Sequence, residues 1–474
     1  MSQEPPIPAE LWAQVPPAAQ AALLALLASY EQRLSHLQEQ VSHLQHQLGL
    51  NSSNSSRPPS SDPPAVKRAP PRPRSGKPKG AQPGHSLQQR PPLPPDQTLH
   101  CKPTHCRRCQ HPLAGDDPAP LRHQVIELPV IKPEVTDYLR HRLACPQCGT
   151  TTCAPLPPGV PEGEYGPRLQ AHLALFSGGY RLSKRHIERL CEDVFRVPIC
   201  PGQVCALEQQ TAATLAPVVA ELREHGQQQP ANIDETSWRQ GGQRAWLWVV
   251  VTATVTVFHL VLSRSAKIAK ELLGTAGRWV VTSDRYSAYN WLKVRLRQLC
   301  WAHLVRDFQA MVDRNNVGKA IGEELLSWAE CLFDWWYRVR DGTLSRSTFQ
   351  KYVSIIRPCV REELERGSVC GCAKTAGVCK ELLKVEPALW TFVRVEGIEP
   401  TNNAAERALR HAVQWRKQSY GTDSEAGSVF VANVLSVVAT CRQQGRNVLD
   451  YLTACCTAAI RGVKPPSLLP QHTK

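Results

Sequence analysis

At 474 residues the chain has room for two to four domains of roughly 100–200 residues each, and for a sizeable core. Its 56 Lys and Arg against 41 Asp and Glu leave a formal charge of +15, which calls for an acidic partner such as nucleic acid. The most apolar run, 246–262, is interrupted by Thr252, Thr254, Thr256 and His259, which argues against a spanning helix, and the first twenty residues carry Glu4, Glu10 and prolines without the basic start of a signal peptide. The expectation is a cytoplasmic, nucleoid-associated protein with no membrane partner, in which the eighteen cysteines are metal ligands or buried apolar groups before they are disulfides.

Residues 1–50 come first. Leu27, Leu34, Val41 and Leu48 recur at seven-residue spacing, with Tyr30, Leu37 and Leu44 three after the first three, so the a and d seats of about three heptads are filled. This reads either as a short leucine-zipper-like coiled coil or as an amphipathic helix docked on its own chain. Residues 51–97 follow as a disordered basic linker rich in Ser and Pro, in which Arg57, Lys67, Arg68, Arg72, Arg74, Lys77, Lys79 and Arg90 face Asp62; such a segment is either a phosphate-contacting arm or a plain solvated linker.

Two C-x-x-C pairs, Cys106/Cys109 and Cys145/Cys148, mark residues 98–156 as a zinc ribbon, since four thiolates complete a closed tetrahedral site. Short strands are expected at 125–130 and 135–138. Cys101, His105, His111 and Cys153 are close enough in sequence to replace one of the four ligands. Residues 157–228 read as helices: one over 168–175, one after a Ser183 cap, a break at Val197-Pro198 and another from Pro201-Gly202. With Arg181, Lys184, Arg185 and Arg189 on it, this helix-turn-helix-like unit either enters a DNA groove or is ordinary helical packing.

The chemistry is expected in residues 229–452. Strands at 231–238, 244–253 and 256–262, a helix at 267–273 and a strand at 278–283 give the opening order of a ribonuclease-H-like fold, with a fifth strand at 294–299. That order puts Asp234 on the first strand and Asp284 at the end of its neighbour, so that the two share a metal. Pro400 to Arg410 supplies a third carboxylate: Thr401 or Asn402 caps a helix and Glu406 sits about one turn in, with Glu399 before the helix and Glu425 in a later loop. Three hard oxygen donors without a soft ligand point to Mg²⁺ or Mn²⁺. Cys300 and His303 read as structural or site-supporting residues, Cys370, Cys372 and Cys379 stay unassigned, and Trp301, Trp328, Trp335, Trp336 and Trp390 read as the core of a helical insertion over about 300–395. Residues 453–474 read as a C-terminal tail.

Several motifs together resemble the insertion-sequence-66 family of transposases: Asn51-Ser-Ser-Asn-Ser-Ser-Arg-Pro-Pro-Ser-Ser-Asp62, Gly80-Ala-Gln-Pro-Gly-His85, Asp234-Glu-Thr-Ser-Trp238, Cys300-Trp-Ala-His303, Asn402-Asn-Ala-Ala-Glu-Arg407, Arg416-Lys417 and Gly421-Thr-Asp-Ser-Glu-Ala-Gly427. The resemblance runs over nearly the whole chain. It implies a multidomain α/β enzyme with a coiled-coil helix, a structural Zn²⁺ ribbon, a helical DNA-binding segment and a ribonuclease-H-like core with a helical insertion. It also implies Asp234, Asp284 and Glu406 as the catalytic triad, two Mg²⁺ or Mn²⁺ ions per site, and strand cleavage followed by strand transfer. The implied partners are double-stranded DNA at element ends and target, further copies of the chain, and accessory element-encoded proteins. Arg407, Arg410, Arg416 and Lys417, with Lys184 and Arg185, are the candidate DNA contacts. A zinc-ribbon regulator with a non-catalytic core is the competing reading.

Overall fold

The computed structural model describes residues 8–55, 62, 91–274 and 277–470. All the basic residues expected in the 51–97 linker, together with the Gly80–His85 motif, lie outside the described residues.

A short helix α1 (Ala9–Trp12) precedes α2 (Pro17–Gly49), one continuous helix that covers the expected heptads. Leu27, Tyr30, Leu34, Leu37, Val41, Leu44 and Leu48 are all exposed along it, so the stripe is not docked on the described residues of this chain. The linker does not begin as an unstructured segment. Asn51 to Ser55 form an Asx-type turn in which Asn51 Oδ1 accepts from the Ser53 amide at 2.8 Å, and Asn54 Oδ1 accepts from the Asn51 amide at 2.8 Å. The amide of the Asn54 side chain then donates to Gly49 O at 3.0 Å and to Asp313 Oδ2 at 2.8 Å, fastening the end of α2 to the helical insertion.

In the 98–156 segment the expected strands at 125–130 and 135–138 do not form. Val125, Ile126, Leu128, Val130 and Val135 stay exposed with no sheet to join, and Pro129 and Pro133 remove ladder donors. The ladder is instead β1 (Arg142–Ala144) antiparallel to β2 (Thr151–Cys153), flanking the second cysteine pair.

Helices α3 (Pro167–Gly178), α4 (Lys184–Leu190) and α5 (Pro201–Gly226) follow, with Ser183 capping α4 by accepting from the His186 amide at 3.3 Å. The chain then enters a five-stranded sheet: β3 (Ala231–Gln240), β4 (Gln243–Val251), β5 (Thr256–Val261), helix α6 (Ala266–Leu273), β6 (Val281–Ser283) and β7 (Arg297–Leu299). Its order is β5-β4-β3-β6-β7, with β3, β4 and β5 antiparallel and β6 and β7 parallel to β3. Period-two alternation feeds two cores. Leu247 and Val249 pack with α3, α5 and the later helices over Glu425–Gln443 and Val448–Ile460, whereas Trp248 and Val250 pack with α6 and Tyr289.

Between β7 and the last helices lies the helical insertion: α7 (Trp301–Asp313), α8 (Lys319–Arg340), α9 (Arg346–Ser368), α10 (Ala373–Lys384) and the short α11 (Thr391–Arg394). Trp301, Trp336 and Trp390 are buried in its own core, with Trp328 and Trp335 packed against it. The chain closes with α12 (Asn403–Ser419), α13 (Glu425–Gln443) and α14 (Val448–Ile460). Two expectations are corrected here. Glu425 opens helix α13 behind its Ser424 cap and is not in a loop. Residues 453–474 are not a simple tail, because Cys455, Cys456 and Leu468 are buried in the core under the sheet.

Candidate active site

Strand β3 carries the first carboxylate, and its alternation decides which way that carboxylate faces. Trp238 lies in the core on the side of α12, so Asp234, four residues earlier, faces the same side, while Glu235 faces the opposite side with Tyr289. Strands β3 and β6 pair in parallel with Asn232 opposite Thr282. Carrying that register on by two residues sets Asp234 level with Asp284, which immediately follows β6. A buried arginine holds the turn there: the Arg297 guanidinium donates to the Asp284 carbonyl at 2.8 Å and to Ser283 Oγ at 3.2 Å. Asp284 Oδ1 in turn accepts from the Tyr286 amide at 2.9 Å.

Glu406 arrives on the first turn of α12, and the docking of that helix on β3 is specified by polar contacts. Asn402 stands at the cap position, yet its side chain makes no cap bond. Being fully buried, it turns inward: Nδ2 donates to the Ile233 carbonyl at 2.8 Å and Oδ1 accepts from Asn232 Nδ2 at 3.1 Å. Losing either partner would leave a buried polar group unpaired, at about 1–3 kcal/mol. At the far end of α12, Gly421 has φ +123° and its missing Cβ would sit 2.3 Å from the Arg239 carbonyl, so only glycine allows the loop to lie on β3. Thr422 completes that seam by donating its amide to the same carbonyl at 2.9 Å.

The electrostatics register the same neighbours, while the oxygens of Asp234, Asp284 and Glu406 do not all close within 4.8 Å of one another. Burial, followed by the charges of Glu235 and Asp284 and more weakly Glu406, holds the Asp234 carboxyl well above the usual carboxylate range, against one opposing bond from the Glu235 amide at 2.9 Å. Asp234 keeps some open surface, but it is enclosed enough for desolvation to dominate. Glu235 is itself raised by burial and opposed by Tyr289 Oη and Arg264, whose guanidinium sits 2.6 Å from it and against the Tyr286 ring.

On the Glu406 side lie Cys300 and His303, at the start of α7. The donor atoms of Cys300, His303 and Glu406 all fall within 4.8 Å of one another, the one such group of three among the described residues. Cys300 Sγ accepts from the Asn402 amide at 3.1 Å, and burial pushes its thiol up to about 12. Arg306 approaches Glu406 Oε2 at 3.8 Å. The expectation of a carboxylate site with no soft ligand nearby is therefore corrected: a thiol and an imidazole abut the third carboxylate.

The remaining candidates separate by their partners. Arg185, Arg407, Arg410 and Lys417 are exposed. Lys184 instead grips the buried Glu208, and Arg416 donates to Thr236 Oγ1 at 3.1 Å and Ser237 Oγ at 2.8 Å, strapping α12 to β3. Both cations are spent inside the fold. Cys106 and Cys145 adopt the same knuckle turn: each amide donates to the carbonyl five residues on, His111 and Thr150, at 2.8 and 2.9 Å. Each carbonyl accepts from the residue four on, Gln110 or Gly149, which has positive φ. Hydrogen bonds within the turns lower the Cys106 and Cys148 thiols, the state a metal needs. The donor set and paired turns suit zinc, although the four sulfurs do not close into one group at the 4.8 Å spacing. Nor do Cys370, Cys372 and Cys379.

Residues 162–429, more than half of the chain, match the model described as Transposase IS66 family. The chain belongs to that transposase family. Residues 103–149 match the zinc-finger binding domain of transposase IS66, which takes in both knuckles, and residues 7–91 match a family of unknown function, DUF6444. The transposase match spans β3, β6 and α12, and so contains all three carboxylates. The chain is also similar to the uncharacterized protein y4qI of Sinorhizobium fredii (strain NBRC 101917 / NGR234), at 29% identity over 246 residues. That alignment covers 46% of this chain and 44% of the relative, so less than half of the relative's length is spanned. Among the described residues no helix is long and apolar enough to cross a membrane.

The sequence reading missed Glu235, Arg264, Tyr289, Arg297 and the inward role of Asn402. A visible signal existed for Arg297 and Gln298: two polar residues inside the expected strand at 294–299 must find partners if buried, and both are buried.

Proposed function

We propose that this transposase-family chain binds the terminal inverted repeats of an insertion sequence, cleaves there in a metal-dependent reaction, and transfers the strand into target DNA. The observation that carries the reading is the parallel β3–β6 register, which sets Asp234 level with Asp284 while α12 brings Glu406 to the same side of β3. The strand order β5-β4-β3-β6-β7 supports a ribonuclease-H-like core. Asp234, Asp284 and Glu406 are the metal ligands, and Asp234, raised by enclosure and by its neighbours' charge, is a carboxylate that gains a partner when a cation arrives. Two Mg²⁺ or Mn²⁺ ions bound there would supply an activated water or 3′-hydroxyl and stabilise the leaving oxygen of an in-line displacement.

The chain's own residues do the rest. Asn402, Arg297 and Arg416 fix the segments that bear the carboxylates, and Arg407, Arg410 and Lys417 on α12, with Arg185 on α4, offer exposed cations to phosphates. Lys184 is dropped from the contact set because Glu208 neutralises it. Structural Zn²⁺ on Cys106, Cys109, Cys145 and Cys148 shapes the ribbon for recognising element ends, and the exposed stripe of α2 joins copies of the chain as a coiled coil. Double-stranded DNA, further copies and accessory element-encoded proteins are the partners, in the nucleoid-bearing cytoplasm.

The test is an end-cleavage assay on duplexes ending in the inverted repeats that flank the reading frame. Nicking at the repeat boundary should require Mg²⁺ or Mn²⁺ and stop with EDTA, while gel-shift binding by the zinc-loaded chain persists when Mg²⁺ and Mn²⁺ are simply left out. Cleavage that continues at full rate in EDTA would refute the metal reading.

A further inference from the structure

The sharpest unexplained feature beside the triad is a pair of orphaned atoms. His303 Nδ1 and Glu406 Oε1 are both buried without a hydrogen-bond partner among the described residues, and they face each other at 3.6 Å. That is too long for a hydrogen bond between them. A buried donor or acceptor left unmade costs free energy, and two of them facing across one gap call for a third atom. Two donors each about 2.1 Å from one ion lie about 3.0 Å apart at a right angle and about 3.6 Å apart near 120°, so the gap has the span of a single bound cation. The chemistry agrees. An imidazole nitrogen is the commonest side-chain metal donor, and a carboxylate oxygen opposite it completes a mixed pair.

We infer that His303 is a further ligand of the metal centre, donating Nδ1 to the cation that Glu406 holds and making the site a mixed nitrogen and oxygen one that favours Mn²⁺ over Mg²⁺. Imidazole suits first-row transition ions, whereas an all-oxygen set suits Mg²⁺ as well. Cys300 does not join. Its sulfur accepts from the Asn402 amide, so it secures the turn that carries Glu406. Arg306, facing the other oxygen of Glu406, leaves Oε1 as the ligating atom. The inference rests on the proposed triad only in taking Glu406 as a ligand.

The experiment uses the full zinc-loaded chain, titrated with Mn²⁺ and frozen, with pulsed electron paramagnetic resonance reading the nitrogen coupling of the bound ion. Manganese is the probe because a hard ion does not compete for a four-thiolate knuckle pair. The expected result is a directly bound ¹⁴N in the unmodified chain, converted to ¹⁵N when histidine is labelled. It should be lost in His303→Gln, which should bind Mn²⁺ at least about tenfold more weakly, the least that even outer-sphere partners are worth. The unmodified chain makes the test independent of how the variant folds. If Mn²⁺ binds in a manner that Asp234→Asn abolishes but shows no histidine nitrogen, the inference is overturned and the carboxylate reading stands. If no Mn²⁺ binding depends on Asp234 and Glu406, both are overturned.

Discussion

Glu406→Gln should reduce metal-dependent cleavage by about a thousandfold or more, on the order of 4 kcal/mol in the barrier, while leaving folding and DNA binding intact. Size and helix propensity are retained, and the packing of α12 is carried by Ala405, Leu409, Ala412 and Trp415, which the substitution does not touch. What disappears is the charge of one proposed metal ligand. Neighbouring acids supply the controls. Glu399 accepts from Trp336 Nε1 at 3.2 Å, a bond that an amide oxygen also accepts, and Glu425 opens α13 behind its cap. Glu399→Gln and Glu425→Gln should therefore keep most activity. Normal Mg²⁺-dependent cleavage by Glu406→Gln, with loss in either control, would move the third carboxylate elsewhere.

Removing zinc from the ribbon should abolish specific end binding and render the region around 103–149 sensitive to protease. The physical ground is that not one residue from 103 to 149 is buried, and Val125, Leu128, Val130, Val135 and Leu143 lie open. A segment with no apolar core must draw its folding energy from elsewhere, and a structural zinc in small peptides supplies about 10–16 kcal/mol at neutral pH. Cys109→Ser and Cys145→Ser, each breaking one knuckle, should release the metal, while the sheet and α12 remain folded on their own cores. Metal analysis reads the outcome: full zinc retention when both are replaced would remove the site.

How much of this was legible beforehand follows from where the signals live. Strands β3, β4 and β5 could be read because apolar residues alternate or run through them, and the tryptophans of α7 and α8 read as core because they recur inside helices. Strands β6 and β7 are three residues each, too short for a period, and their boundaries came out longer in the sequence reading than in the structure. Periodicity says that a cation lies on a helix but not whether an acceptor waits beneath it, a carboxylate for Lys184 and strand oxygens for Arg416, which is why both read as free. Asn402 has the composition of a cap, and only the approach of β3 shows that its amide is needed there. The apolar run at 125–130 carried strand propensity without a partner to express it, the tertiary context that propensity lacks. His303 was visible as half of a motif, but its meaning depends on Glu406, 103 positions away in sequence and 3.6 Å away in space.

Strand joining is the most direct measurement of the central claim. A duplex carrying the element end with its 3′-hydroxyl already exposed is incubated with the chain, Mn²⁺ or Mg²⁺ and plasmid target, and joined molecules are sequenced across the junction. The account predicts end-to-target junctions formed through that hydroxyl, in equal need of Asp234, Asp284 and Glu406, and none with a 3′-deoxy end. Binding of the same duplex without any junction, unchanged when all three carboxylates are neutralised, would contradict it and leave a DNA-binding protein on a non-catalytic core.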